Sequence, residues 1–115
     1  DALRMNMMIS YQELVRTFQD ALVQTLYRGQ LYAKHGACGF FVPCVTRAED
    51  ITAIVHHVPL PLNVMCMPEL ADFSTLSTLG VKRISMGNFI YAATQARLKD
   101  LLCQVQTQHS FSGVF

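Results

Sequence analysis

The sequence predicts an α/β fold in which parallel strands alternate with helices. Three observations predict it. Apolar runs of strand length recur between stretches with helical spacing, those runs are apolar on both faces, and Gly or Pro marks each junction. Composition agrees: 115 residues, 51% hydrophobic and 15% charged, which excludes a disordered chain and leaves room for one domain.

The leading segment, 1–9, has no clear period; its Met5, Met7 and Met8 suit either core filling or an apolar dimer contact. Ser10-Tyr11-Gln12-Glu13 has the Ser-x-x-Glu form of a capping box. Leu14, Val15, Phe18, Leu22, Leu26 and Tyr27 then recur mostly three or four apart, one face of a helix. The pattern weakens through Leu31 and Tyr32 and stops at Gly36, and Gly29 is expected to kink or divide it.

Gly39-Phe40-Phe41-Val42-Pro43-Cys44-Val45 reads as a strand covered on both sides, with Pro43 near its end. Thr46-Arg47-Ala48-Glu49 repeats the capping-box form and Asp50 adds charge to the first turn, so both acids are read as helix-start residues. Ile51, Ile54, Val55 and Val58 supply the buried stripe. The unit recurs: Pro59-Leu60-Pro61 turns the chain, Leu62–Cys66 is a strand, Pro68 breaks it, and 70–79 is a short helix ending at Gly80. Val81–Met86 is a third strand closed by Gly87. Asn88 can cap a last helix with Ile90, Ala93, Leu98, Leu101, Leu102 and Val105 on its apolar side, and 109–115 is a loose tail. The expected organisation is a single domain: leading segment 1–9, repeats over 10–108, tail 109–115.

Such alternation suits an open three-layer sheet or an arc of a (β/α)8 barrel. A closed barrel takes about 250 residues. This chain is too short to close one.

The formal charge of +1 and the absence of a basic stripe exclude nucleic acid and anionic membrane as expected partners. No apolar run approaches the roughly 20 residues of a membrane span. The four cysteines, Cys38, Cys44, Cys66 and Cys103, match neither zinc spacing nor a Cys-x-x-Cys pair. They are read as reduced, small buried hydrophobes of a cytoplasmic protein.

In a barrel, reactive groups lie at the C-terminal strand ends and the loops after them. That selects Cys44, Asn63, Met65, Ser85, Gly87 and Asn88 as candidates for a substrate or anion pocket, with Pro43 and Cys66 beside them. Gly87-Asn88 opening a helix offers free N–H groups to a carboxylate or phosphate. Arg83 and Ser85 share one strand face, expected inward, with Arg83 tying lower layers together; Ile84 and Met86 share the other. As a nucleophile Cys44 needs a base, and His56-His57 lie at the far end of the next helix. His35, His56 and His57 are read as helix-end residues, and Glu69 and Asp72 as solvated loop. No Asp-x-Asp cluster exists. No metal ligand and no catalytic residue is assigned.

Arg28-Gly29-Gln30-Leu31-Tyr32, Gly36-Ala37-Cys38-Gly39-Phe40-Phe41-Val42-Pro43, Pro59–Met65 and Leu79–Gly87 together resemble the isocitrate lyase/phosphoenolpyruvate mutase superfamily, whose members read Arg-x-x-x-Tyr, Gly-Ala-Asp-Gly and Phe-Val-Pro in this order. The resemblance covers about residues 28 to 103. It implies strands six to eight of a (β/α)8 TIM barrel, with Asp1-Ala2-Leu3 similar to the stretch after strand five. The chain is then the C-terminal part of an enzyme whose first five strands lie elsewhere. The barrel would be completed by association or by that missing N-terminal half.

The resemblance further implies a Mg2+ held by acids of early strands, and lyase, mutase or decarboxylase chemistry on 2-oxo or phosphono acids at C–C or P–C bonds. Two positions depart from the pattern: Cys38 stands for an Asp, and Cys44-Val45 follow Pro43 where lyases often carry a glutamate. The second points away from methylisocitrate-type cleavage. The expectation is an enzyme part inactive as this chain alone, assembling as a homo-oligomer by edge pairing or exchange of the last helices. The alternative is a non-catalytic remnant or self-associating module. A free-standing small α/β domain with an anion site at Gly87-Asn88 is a third reading.

Overall fold

A computed structural model describes residues 18–115, with side chains from residue 20 onward. The box at Ser10–Glu13, the Met5–Met8 run, Asp1–Leu3, Leu14, Val15 and the Phe18 side chain lie outside the described residues. The elements are α1 (Phe18–Lys34), β1 (Phe40–Val42), α2 (Ala48–His57), β2 (Leu62–Met65), α3 (Phe73–Leu79), β3 (Arg83–Ser85) and α4 (Phe89–Gln108). They form two compact units that divide between Ser85 and Met86.

In the first unit the strands lie in the order β1-β2-β3 and are all parallel. Phe40 pairs with Leu62, Val42 with Val64, and Val64 with Ile84. Because side chains alternate along a strand, these residues share one face. That face carries the core: Phe40, Val42, Leu62 and Val64 pack with Ile51, Ile54 and Val58 on the α2 side and Leu76 of α3. Leu22 and Leu26 of α1 pack against it. Ile51 and Val64 are 0% exposed, and burying each such side chain contributes about 1.5–3 kcal/mol.

The other face reads Phe41, Asn63, Met65, Arg83 and Ser85. None of these belongs to the core cluster. An open doubly wound sheet covers both faces with helices and needs both to be apolar. Here the strand order is sequential, the packed helices lie on one side, and the second face carries Asn63, Arg83 and Ser85. The architecture is α/β, a partial (β/α)8 barrel.

Several local expectations are corrected. The α2 start is not a Thr46–Glu49 box: Arg47 occupies the N-cap in extended backbone and no side chain caps it. Glu49 instead pairs with the Arg47 guanidinium, and Asp50 lies 4.0 Å from Arg47 Nε. The neighbouring cation outcompetes a backbone N–H for the carboxylate. α3 begins at Phe73 rather than residue 70, and the solvent-exposed Asp72 before it is its N-cap. Its carboxylate accepts from Thr75 N at 2.8 Å and Ser74 Oγ at 3.2 Å.

Gly29 does not divide α1, which runs unbroken through it. A Cβ there would stand 2.6 Å from Val58 Cγ2 and 3.0 Å from Phe40 Cε1, so the glycine exists for close approach. Tyr27 is 62% exposed, and the inward place falls to Thr25, whose hydroxyl donates to the Ala21 carbonyl at 2.8 Å. Gly80 ends α3 at φ +94, and its N–H donates to the Leu76 and Ser77 carbonyls.

In the second unit α4 has no buried residue, and Ile90, Leu98 and Leu102 of its expected apolar side are each at least half exposed. His109 closes α4 at φ +47, and the last residues form turns with Val114 N donating to the Phe111 carbonyl at 3.0 Å. All four cysteines are free. Cys38 and Cys103 are exposed, so they are not the buried hydrophobes expected.

Candidate functional site

Parallel pairing sends the strands' C-terminal ends to one edge of the sheet, where Val42, Met65 and Ser85 finish together. Ligands of barrel enzymes sit at that end. The ladder continues one step beyond it, Cys66 N donating to the Ser85 carbonyl at 2.7 Å.

Asn63 and Ser85 are the candidates that the structure brings together. Asn63 is 4% exposed and opposite Arg83 in register; Ser85 lies two residues further on the same face, half-buried. Their side chains bond at 2.8 Å. The amide orientation that satisfies both of its ends accepts from the Ser85 hydroxyl and donates to the Arg83 and Val64 carbonyls at 3.0 and 3.3 Å. No buried side-chain polar atom among the described residues lacks a partner. Met65, half-buried, stands opposite Ser85.

Cys44 belongs elsewhere. With Thr25, Pro43, Arg47, Asp50 and Ile54 it lines a cavity of about 90 Å3 between α1 and the β1–α2 loop, whose lining includes none of Asn63, Met65 and Ser85. Its φ of +63 is left-handed, a conformation that costs a non-glycine residue roughly 1–2 kcal/mol. No histidine lines that cavity. The exposed Arg47 is held more firmly in its charged form, first by its hydrogen bond to Glu49 and then by the charge of Asp50.

Gly87 and Asn88 open α4 in the second unit. Gly87 has φ +57, and Asn88 sits at the N-cap with no side-chain cap bond, so the expected position is occupied without the expected capping contact. Ala92 N donates to the Asn88 carbonyl at 2.9 Å. His57 Nδ1 lies 2.8 Å from the Ala53 carbonyl, as suits an imidazole at a helix end. Among the described residues no group of three His, Cys, Asp or Glu side chains could hold a metal ion.

The Asn63–Ser85 pair is the feature that sequence reasoning missed, although it named both residues. Its signal is parity: a polar residue in each of two apolar strands, placed on one face once the register is known. No helix among the described residues is long and apolar enough to cross a membrane.

Comparison with known proteins agrees with this geometry. The family model described as phosphoenolpyruvate phosphomutase matches residues 4–106. Among solved structures, a protein of Burkholderia cenocepacia J2315 described as a phosphonomutase superposes with a TM-score of 0.71 at 34% identity, over 84% of this chain and 38% of its own. A second protein of that organism, described as a lyase/mutase, gives a TM-score of 0.69 at 28% identity, over 79% of this chain and 34% of its own. The chain therefore spans little more than a third of the length of either. The curated proteins contain no match. With the family model matching most of its length, the chain belongs to the phosphoenolpyruvate phosphomutase family.

Proposed function

We propose that the chain supplies the closing sector of a Mg2+-dependent lyase, mutase or decarboxylase acting on 2-oxo or phosphono acids. The single observation that carries this reading is the sheet itself. Sequential parallel strands with helices on one face leave a partly polar face and a shared C-terminal end of the kind that barrel enzymes use. The family match and the phosphonomutase and lyase/mutase descriptions of its structural neighbours support the substrate class.

The described residues do not fit a Mg2+ site, which asks for several oxygen ligands. The ion's carboxylates would come from outside them, so the described sector is not competent for turnover alone. What these residues contribute is a rigid floor: the core-facing side fixes the strands, and Asn63 fixes Ser85 at their C-terminal end. The proposed setting is the cytoplasm, where the free thiols stay reduced.

Reading the coding sequence upstream of Asp1 tests the proposal. An in-frame segment with an Asp-x-Asp strand end and a Lys/Arg-Cys-Gly-His loop supports it; a stop codon or unrelated sequence there overturns it. Calorimetry of the chain with Mg2+ and oxalate should show no binding heat, and a saturable heat would refute the placement of the metal ligands.

One observation favours a second reading, a self-associating module without catalysis. Among the described residues β1 and β3 each pair on one side only, and Ile90, Leu98 and Leu102 of α4 are exposed. Unpaired edges and apolar helix faces favour a homo-oligomer, by edge pairing or helix exchange. Light scattering that shows a monomer at working concentration would exclude it.

A further inference from the structure

An amide's nitrogen and oxygen are told apart by what surrounds them. One end of the Asn63 amide lies 3.0 Å from the Arg83 carbonyl and 3.3 Å from the Val64 carbonyl, besides 3.1 Å from Ser85 Oγ. Carbonyl oxygens only accept, so that end is the NH2 group. The other end is then the oxygen, 2.8 Å from Ser85 Oγ. Two oxygens at that distance need a proton between them, and the serine hydroxyl owns the only one. Ser85 therefore gives its proton to Asn63 and keeps only acceptor capacity.

We propose that Asn63 sets Ser85 as a hydrogen-bond acceptor at the C-terminal end of the sheet, so that the ligand group Ser85 meets carries a proton. A hydroxyl, an enol or a bound water satisfies it; a carboxylate or phosphonate oxygen does not. The inference rests on the proposed reading of this end as the ligand site and deepens it. Ser85 becomes a specificity residue, and Asn63, which acts through it, a positioning residue. For Ser85 to donate to an anion instead, it would have to release the Asn63 carbonyl, leaving a buried acceptor unpaired.

Nuclear magnetic resonance on the full chain tests this with glycolate, which has a hydroxyl beside its carboxylate, and acetate, which lacks one. Glycolate should shift the Ser85 and Asn63 side-chain signals and acetate should not. Ser85→Thr should keep the glycolate response, and Ser85→Ala should abolish it. The Asn63 amide proton bonded to the Arg83 carbonyl, the nearest acceptor at 3.0 Å, should keep its shift in Ser85→Ala. Equal shifts with both acids, shifts with acetate alone, or none with either would overturn the proposal. So would loss, in Ser85→Ala, of the shift of the amide proton bonded to the Arg83 carbonyl, which would mean that the end facing the strand carbonyls is not the NH2 group. These side-chain readouts do not depend on turnover, so failure of the wider enzymatic reading stays distinguishable.

Discussion

The two faces of one small sheet are built on opposite principles. On one, Phe40, Val42, Leu62, Val64 and Ile84 lie in line and α2 and α3 cover them, so free energy comes from apolar area removed from water. On the other, the same register lines up Phe41, Asn63 and Arg83, with Met65 opposite Ser85, and order comes from the diagonal Asn63–Ser85 side-chain pair. A one-residue slip would exchange the faces. The difference separates the residues that make the fold from those left over for function.

The sharpest way to break that comparison is to truncate one residue on each side of it. Ile51→Ala, at 0% exposure, should cost about 2–5 kcal/mol, the usual range for a fully buried aliphatic. Met65→Ala, half-buried on the open face, should cost less than about 1.5 kcal/mol, by transfer of a partly solvated side chain. Urea midpoints measure both. Equal costs would mean that the open face is core, and the partial-barrel description would fail.

A second variant pair sharpens the comparison from the polar side. Ser85→Ala leaves the Asn63 carbonyl buried without its donor, at a cost of about 1–3 kcal/mol. Combined with Asn63→Ala, it should show a coupling of about 0.5–3 kcal/mol in a double-mutant cycle. Additive losses would mean that the contact holds nothing in place.

Gly29 gives a third, on the covered side. Alanine raises helix propensity by roughly 0.5–1 kcal/mol. Its Cβ, however, meets both Val58 methyls and the Phe40 ring within 3.0 Å, and overpacking of this kind costs about 1–3 kcal/mol. Gly29→Ala should therefore destabilise modestly, whereas a stabilised variant would show that α1 can lift away from β1.

These tests also show what the chain order made readable. Strand positions, the α2 stripe of Ile51, Ile54 and Val58, and the Gly80 stop follow from local spacing and from a backbone only glycine adopts cheaply. The role of Gly29 was not readable, because the Val58 methyls that exclude a side chain arrive from the other end of α2. The Asn63–Ser85 pair needed the β2–β3 register, which no local window contains. At α2, Thr46 offered a plausible cap and lost its partner to Arg47, a competition decided by side-chain reach. For α4 the periodicity is legible, yet what covers Leu98 and Leu102 is not a property of the helix.

The smallest expected effect is at Asp72, on the rim of the covered side. Its carboxyl is held below the ordinary carboxylate range, first by the hydrogen bond from Thr75 N–H and then by the Thr75 and Ser74 side chains. A depressed folded-state pKa means that the charged cap stabilises the fold at neutral pH. That contribution is lost as pH falls through the depressed value. An asparagine at this position would keep a capping oxygen without the charge. Asp72→Asn should therefore match the parent once the pH is below both pKa values and fall slightly behind it as the pH rises. Asp72→Ala should be weaker than the parent at neutral pH, with the gap narrowing on acidification. Melting curves across the acid range measure this, and a difference between the parent and the asparagine variant that grows on acidification would reverse the sign and remove Asp72 from its role as the charged cap of α3.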